Sequence, residues 1–251
     1  MNFFFIHVLS LLYSNLSTFI ENQFYRKKKT NSKLKELGFY KDQLRFRINP
    51  ADSLEKKLSN GNFSEKLIIK SNYIEQVIND IFFKNNIKKN LFELTGFNYS
   101  IDFFLVYSTY NINEENLEKD IYANHWHRDK PFSKNTLKII IPIDKIHANN
   151  GPMEILSIKD SSKINFFLDL KKMFFPNRFK LAGSVNDVFY FLPNLCYHKA
   201  GIPEVGQKRT QMMLQLNPSK KWRCSTNLYK KQYLLEPKFP ILNFNDNHKL
   251  I

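Results

Sequence analysis

The spacing of apolar positions divides the chain into a helix-rich first part and a strand-rich second part. In residues 31–98 apolar side chains recur at intervals of three and four, as between Leu54 and Leu58. This spacing collects side chains on one helix face and predicts two or more helices. A longer set with the same spacing is formed by Ile74, Val77, Ile78, Ile81 and Phe82.

From residue 101 onward the pattern changes to short β-branched and aromatic runs, some with a period of two, which is typical of strands. Turn residues at 149–152 predict that the runs on either side of them pair as a hairpin. Strands without an intervening βαβ rhythm favour an antiparallel sandwich or barrel with helices in front. The strand-like segments are 101–107, 137–143, 153–156, 188–192 and 209–216.

The first twenty residues contain no Lys, Arg, Asp or Glu, and they are followed by the basic run Arg26–Lys29. Polar residues recur along one stripe opposite a broad apolar face, which predicts an amphipathic helix. Its apolar face has three interpretations: packing on the domain or a partner, peripheral membrane contact through residues 1–29, or a membrane span. The stripe consists of His7, Ser10, Ser14, Ser17, Thr18 and Glu21.

These patterns predict four segments. Residues 1–30 are an amphipathic helix with a basic flank, 31–98 the helical part of the domain, 99–220 the β core, and 221–251 a C-terminal extension. With 251 residues, 43% of them hydrophobic, the chain has enough apolar mass for one full core.

The net charge and the cysteine content bear on the kind of binding partner and on the redox environment of the protein. A net charge of +15, from 38 basic and 23 acidic residues, favours an anionic contact, although a solvated basic surface explains it as well. Cys196 and Cys224 lack metal-type spacing, which indicates a reducing, cytoplasmic setting, with membrane association left open by the first helix. Nothing in the pattern predicts an oligomeric state.

The candidate chemistry lies in His127, Asp129 and His198. A His followed two residues later by an acidic residue arises by chance in roughly half of such chains, so the position of the motif matters more than its presence. His127 and Asp129 precede a strand and point to the same side of an extended segment, while His198 follows another strand. Two imidazoles and one carboxylate occupy one face of an octahedron around Fe(II), and three positions remain for a bidentate co-substrate and O₂.

Arg209 begins the strand after the His198 loop and can reach the same cavity. A co-substrate such as 2-oxoglutarate chelates iron at one end and needs a cation for its distal carboxylate, and the guanidinium of Arg is suited to this. Lys138 is a second candidate contact, because it lies off the apolar face of its strand; a solvent-facing Lys is the alternative.

The residues from Asn124 to Pro218 resemble the phytanoyl-CoA dioxygenase family of Fe(II)- and 2-oxoglutarate-dependent oxygenases. The resemblance implies a double-stranded β-helix, also called a jelly-roll, with Fe(II), 2-oxoglutarate and O₂. The chain departs from the family's pattern at Ser157–Asp160, where many members have Pro-Gly-Ser-His, and at Ala200, where some have Ser or Thr. The similar passages are His125–Asp129, Asn150–Ile155, Gly183–Val188, Tyr197–Pro203 and Arg209–Gln211, with Leu34–Phe39 upstream.

Three alternatives bear on function. An AlkB-like nucleic-acid dioxygenase typically carries a second Arg six residues after the first, where this chain has Gln215. The sequence therefore favours a small-molecule substrate, lipid-like or anionic, over nucleic acid. A cupin-type site would need a Glu near Pro131 or Phe132. A non-catalytic barrel that serves as a binding module has no need of an open iron site.

Overall fold

The computed structural model describes residues 3–48, 54–129, 132–164, 175–229 and 248–251, and the side chains within these ranges except those of 3–7 and 54–60. The α-helices are α1 (Phe3–Phe24), α2 (Lys33–Leu37), α3 (Ser71–Asn79), α4 (Ile87–Thr95) and α5 (Ile158–Ser162). The strands are β1 (Phe39–Gln43), β2 (Leu54–Asn60), β3 (Ser64–Ile69), β4 (Asn98–Tyr110), β5 (Leu137–Pro142), β6 (Glu154–Ile155), β7 (Phe179–Lys180), β8 (Asp187–Phe191), β9 (His198–Lys199), β10 (Lys208–Ser219), β11 (Arg223–Ser225) and β12 (His248–Leu250).

Two sheets form the β core. The larger sheet has the order β1-β8-β5-β10-β4, and β4 also borders β3 and the short strand β11, which pairs on its other side with β12. The smaller sheet has the order β7-β6-β9, and an antiparallel bridge between His127 and His198 adds the segment before β5 to its edge.

From β4 to β10 the chain passes repeatedly between these sheets. The segment at His127 and strands β6, β7 and β9 belong to the smaller sheet, while β4, β5, β8 and β10 belong to the larger one. Within this set the strands pair antiparallel. This is the two-layer arrangement of a jelly-roll barrel, and the predicted double-stranded β-helix is confirmed.

The larger sheet is buried on both faces. One face packs with α2, α3 and α4 in the main core, to which Ile139, Ile141 and Leu214 belong. The other face lies inside the barrel, where Ile140 and Phe191 pack with Ile155 of the smaller sheet. All six residues of β5 are therefore buried, which explains why its sequence is nearly continuous in apolar residues.

Two local predictions are wrong. The spacing at Leu54 and Leu58 predicts a helix, but these residues lie in β2, which pairs with β3. The turn at 149–152 predicts a hairpin of β5 and β6, but the turn carries the chain from the larger sheet to the smaller one. In both cases tertiary pairing overrides a local pattern. The predicted helix at residues 74–82 is confirmed as α3, continued by a π-helical turn, Asp80–Lys84.

Helix α2 ends at Gly38, which has φ +86° and leads directly into β1. A side chain at this position would collide with Cys196 Sγ as well as requiring a left-handed backbone. The glycine thus allows β1 to reach the edge of the larger sheet beside β8.

Helix α1 packs on the barrel through its polar stripe. Asn194 Nδ2 donates to Ser14 Oγ at 3.2 Å, and the backbone N–H of Lys134 donates to Thr18 Oγ1 at 2.9 Å. The apolar stripe consequently faces outward, and Leu12, Leu16 and Phe19 are each about 60% exposed. In the ranges that the structure describes, no helix combines the length and hydrophobicity needed to cross a membrane.

Glu21 is the acidic member of this polar stripe and is only 3% exposed. Burial raises its pKa from 4.5 to about 7, although hydrogen bonds donated by Ser133 Oγ and Asn135 Nδ2 oppose the rise. The hydroxyl of the buried Tyr99 lies close enough for its pKa to be affected by the charges of both Glu21 and Arg26. The contact between α1 and the barrel therefore favours a protonated carboxyl.

We expect Glu21→Gln to remove a pH dependence of stability. The pKa of Glu21 is higher in the folded chain than in the unfolded one, so its contribution is fully present below pH 4.5 and is lost as pH rises through about 7. The free energy of unfolding of the variant, relative to wild type, should rise by about 3 kcal/mol over that interval. Urea unfolding at a series of pH values measures the difference.

Glu114→Gln is the matched control, because Glu114 is exposed and begins a separate 3-10 turn, Glu114–Asn116. Its stability difference from wild type should stay constant with pH. A constant difference for Glu21→Gln as well would contradict the assignment of this titration to Glu21.

Candidate metal centre and cavity

Backbone pairing brings the predicted metal ligands together. The N–H of His127 donates to the carbonyl of His198, and the N–H of His198 donates to that of His127, both at 3.0 Å. The N–H of Asp129 donates to the carbonyl of Pro193 at 3.0 Å. These bonds align residues 127–129 with residues 193–198. Because residues two apart in an extended segment point to the same side, His127 and Asp129 share one side of this segment.

The three side chains form one cluster. Nε2 of His127 lies 3.3 Å from Asp129 Oδ1, and Nε2 of His198 lies 3.5 Å from the same oxygen. The potential ligand atoms of the three residues all lie within 4.8 Å of one another. A single ion can be reached by all three, since each contributes a donor atom that divalent transition metals accept.

The other ring nitrogens orient both imidazoles. His127 Nδ1 lies 2.8 Å from the carbonyl of His125, and His198 Nδ1 lies 3.0 Å from the carbonyl of Cys196. A carbonyl can only accept, so each Nδ1 carries a proton, and Nε2 is the nitrogen that each ring turns toward the cluster. This is the support that metal-binding histidines usually receive.

Electrostatics favour the ligand forms at the two buried positions. Burial alone would raise the pKa of Asp129, but the charge of Lys138 and the neighbouring imidazoles hold it well below the usual range. Burial lowers the pKa of His198. Burial also acts to lower the pKa of His127, but the hydrogen bond and charge of Asp129 outweigh it and raise the value. A charged carboxylate and a neutral His198 are therefore available for an ion.

Lys138 lies in the barrel, not in solvent. It is 6% exposed, and its Nζ lies 2.5 Å from Asp129 Oδ2. On β5 it faces away from Leu137 and Ile139, which belong to the core on the other face of the sheet. The solvent-facing alternative for Lys138 is thus wrong, and its position beside the cluster comes from the period of the strand.

A cavity of about 410 Å³ opens onto the cluster. Its volume lies in the range typical of small-molecule sites. Its lining includes Ser64, Glu65 and Lys66 of β3, which are partly exposed. The remaining lining residues are Leu105, Tyr107, Ile121, Tyr122, Ala123, His127, Asp129, Lys138, Met153, Phe191, His198, Ala200 and Met213.

Arg209 does not line this cavity but lies behind the residues that do. It is 1% exposed, and its Nη1 donates to the carbonyls of Gly151 and Gly201, the latter at 3.2 Å. Burial lowers its pKa, while Tyr107 and Tyr122, which do line the cavity, act in the opposite direction. The guanidinium stays charged at neutral pH, as arginines in proteins do.

The close approach of two chain segments produces this cradle. Gly201 packs so tightly on Gly151 and Pro152 that a Cβ at Gly201 would collide with their backbones. Gly151 has φ +63°, which favours glycine. The two carbonyls that accept from Arg209 thus belong to segments that only glycines can bring so near.

Several buried polar groups on the interior face lack partners among the described residues. They are Arg209 Nε and Nη2, Thr109 Oγ1, and both amide atoms of Gln215. Thr109 lies opposite Arg209 in the register of β4 and β10, and Gln215 lies opposite Lys138 in that of β5 and β10. Buried donors of this kind are costly unless a ligand satisfies them, and an anionic ligand fits the charge of Arg209.

The structure therefore brings His127, Asp129, His198 and Lys138 into one cavity and leaves Arg209 one layer behind it. Sequence reasoning missed Thr109 as a candidate. The sequence indicates only that Thr109 lies on the same face of β4 as Tyr107, from the period of two. Its pairing with Arg209 cannot be predicted before the order of strands in the sheet is known.

Comparisons with known proteins give likenesses of fold only. No protein-family model and no curated protein matches the chain. Similar solved structures include the non-heme alpha ketoglutarate dependent epimerase SnoN from nogalamycin biosynthesis, 12% identical, with a TM-score of 0.48 over 74% of this chain and 78% of that one. HygX from Streptomyces hygroscopicus, solved with nickel, 2-oxoglutarate and hygromycin B, is 11% identical, with a TM-score of 0.49 over 75% of this chain and 86% of that one. Such low identities and TM-scores carry no conclusion about this chain's chemistry.

We expect Asp129→Asn to weaken binding of a divalent transition metal by at least about tenfold, because the only anionic donor of the cluster is replaced by a neutral amide. Isothermal titration with Co²⁺ or Fe²⁺ under anaerobic conditions measures the dissociation constant. His125→Gln is the control, since His125 Nε2 contacts the carbonyl of Leu117 outside the cluster. Equal losses in both variants would contradict this ligand set.

Lys138→Met should destabilise the metal-free protein by about 3 kcal/mol, because Asp129 is left as a buried, uncompensated charge. A bound divalent ion then takes over the neutralisation, so added metal should raise the melting temperature of this variant more than that of wild type. Lys145→Met, at an exposed position, should respond like wild type. Equal metal-induced shifts in all three proteins would show that Lys138 does not balance the cluster.

Proposed function

We propose that this protein is an Fe(II)- and 2-oxoglutarate-dependent oxygenase that oxidises a small-molecule substrate. The observation that carries the proposal is the His127, Asp129 and His198 cluster, which opens onto a cavity with the buried Arg209 behind its lining. Three protein ligands on one side of an ion leave coordination positions for other molecules, which a purely structural site does not.

His127, Asp129 and His198 would hold the ion. When bound, Fe(II) supplies redox chemistry with O₂ that converts 2-oxoglutarate to succinate and CO₂ and oxidises a C–H bond of the substrate. The chain holds the two imidazoles by their Nδ1 protons and keeps the carboxylate ionised beside Lys138. The apolar walls, including Phe191 and Met213, limit the access of water during the reaction.

Arg209 would bind the distal carboxylate of 2-oxoglutarate. Its Nε and Nη2 are buried and find no partner among the described residues, and the hydroxyl of Thr109 beside it is in the same condition. A carboxylate accepts from both groups and neutralises the guanidinium. Some members of the family that the chain resembles have Ser or Thr where this chain has Ala200. Thr109, at another position, would then provide a hydroxyl contact to the co-substrate. Lys138 remains a second cationic contact, closer to the iron ligands.

A small-molecule substrate suits the size of the cavity. A volume of about 410 Å³ must hold 2-oxoglutarate and the reacting part of a substrate together. The partly exposed lining residues Glu65 and Lys66 provide both charges, and Glu65 already accepts a hydrogen bond from the Tyr110 hydroxyl at 2.9 Å. The substrate is expected to place its apolar part inside and its polar part at β3.

The test is 2-oxoglutarate turnover by protein loaded anaerobically with Fe(II) and then exposed to O₂. We expect succinate formation, and an Arg209→Gln variant should need about a hundredfold more 2-oxoglutarate for half-maximal rate, since a charged two-point contact is lost. Thr109→Val, which is nearly isosteric, should need about five- to tenfold more, as one hydrogen bond is worth about 1 kcal/mol.

Lys208→Gln is the matched control, because Lys208 precedes Arg209 on β10 but is exposed. Its requirement for 2-oxoglutarate should equal that of wild type. Anaerobic binding of 2-oxoglutarate, followed by the charge-transfer absorption of its Fe(II) complex, gives a readout that does not depend on turnover. If the iron-loaded wild type neither binds 2-oxoglutarate nor forms succinate, the proposed function is wrong, and a binding module becomes the better interpretation.

A further inference from the structure

Helix α1 presents an apolar stripe to solvent over several turns. Leu9 is 43% exposed, Leu12 60%, Leu16 61% and Phe19 60%. Their separations of three, four and three residues place them along one helix face. Single exposed apolar residues are ordinary on protein surfaces, but a contiguous stripe of large ones marks an interaction site.

The outward direction of this stripe is set by contacts on the opposite face. Ser14 and Thr18 accept hydrogen bonds from the barrel, and Glu21 accepts two, from Ser133 and Asn135. Turning the helix to bury the leucines would break these bonds and move the Glu21 carboxyl. The stripe is thus held toward solvent by a buried polar network, which is the reverse of the usual packing of an amphipathic helix.

The charges around the stripe indicate what it meets. No charged residue occurs before Glu21, and Glu21 itself is buried. Directly after the helix come Arg26 and the exposed residues Lys27, Lys28 and Lys29. Lys27 also lines a surface depression together with Lys88 and Lys89, so the basic region continues onto the neighbouring α4.

We propose that the outer face of α1 docks this protein onto an anionic lipid bilayer, with Leu12, Leu16 and Phe19 among the acyl chains and Lys27–Lys29 at the headgroups. An uncharged apolar helix face enters the boundary between headgroups and acyl chains, and adjacent lysines add attraction to anionic lipid. The helix lies along the surface because its polar face is held by the barrel. This proposal does not depend on the iron site.

A second copy of the chain is the less favoured occupant. Helices that pair in water use charged residues beside the apolar seam to select partner and register, and the flanks of this stripe carry none. Two chains of net charge +15 also repel one another, whereas an anionic bilayer attracts each.

The test is co-sedimentation of the full-length protein with vesicles of phosphatidylcholine alone or with added phosphatidylserine. We expect binding to the phosphatidylserine vesicles to be at least about tenfold tighter, and to weaken as salt is raised. Leu12→Ser/Leu16→Ser/Phe19→Ser should reduce it by about tenfold or more, while Lys27→Gln/Lys28→Gln/Lys29→Gln should chiefly remove the preference for phosphatidylserine. Val205→Ser, at a residue 85% exposed, is the control and should bind like wild type.

A Leu16→Trp variant provides a readout that does not require removal of the apolar face. Its indole emission should shift to the blue on addition of phosphatidylserine vesicles. Absence of vesicle binding by wild type, or an unchanged emission from Leu16→Trp, overturns the proposal. Self-association that the triple Ser variant abolishes, without vesicle binding, would assign the stripe to a second copy instead.

Discussion

A buried negative charge dominates the interior of this barrel. Asp129 lies among two imidazoles and the ammonium of Lys138, in a place where an isolated carboxylate would not stay ionised. The strands around it supply its compensation, because β5 carries Lys138 and the start of β9 carries His198. The cluster therefore forms only when the two sheets are correctly aligned with each other, so its geometry depends on the folding of the whole barrel.

Strand period accounts for much of what the sequence could predict. Alternation along β10 places Arg209 and Gln215 inside the barrel and Met212 and Leu214 in the outer core, as the structure has them. The jelly-roll itself was predictable from the number and order of strand-like runs, together with the family resemblance. These features depend on residues close in sequence, where steric rules act directly.

Features that depend on distant pairing were not predictable. Residues 54–60 have a helical spacing but pair with β3, and the turn at 149–152 changes sheets where a hairpin was expected. The same reason hides Thr109, whose neighbour Arg209 lies 100 residues later and meets it only through sheet register. For α1 the stripe was correctly predicted, but the side that would face the barrel was not, since polar residues form that contact.

The contacts of α1 have a geometric consequence. Ser133 and Asn135, which hold Glu21, lie a few residues beyond Asp129, and Asn194, which holds Ser14, follows the proline whose carbonyl accepts from the Asp129 backbone. The helix is therefore fastened to the same two segments that carry the cluster. The same two segments therefore position both the outer face of the helix and the metal-ligand cluster, so a surface on which the helix rests would have a defined orientation relative to the cavity.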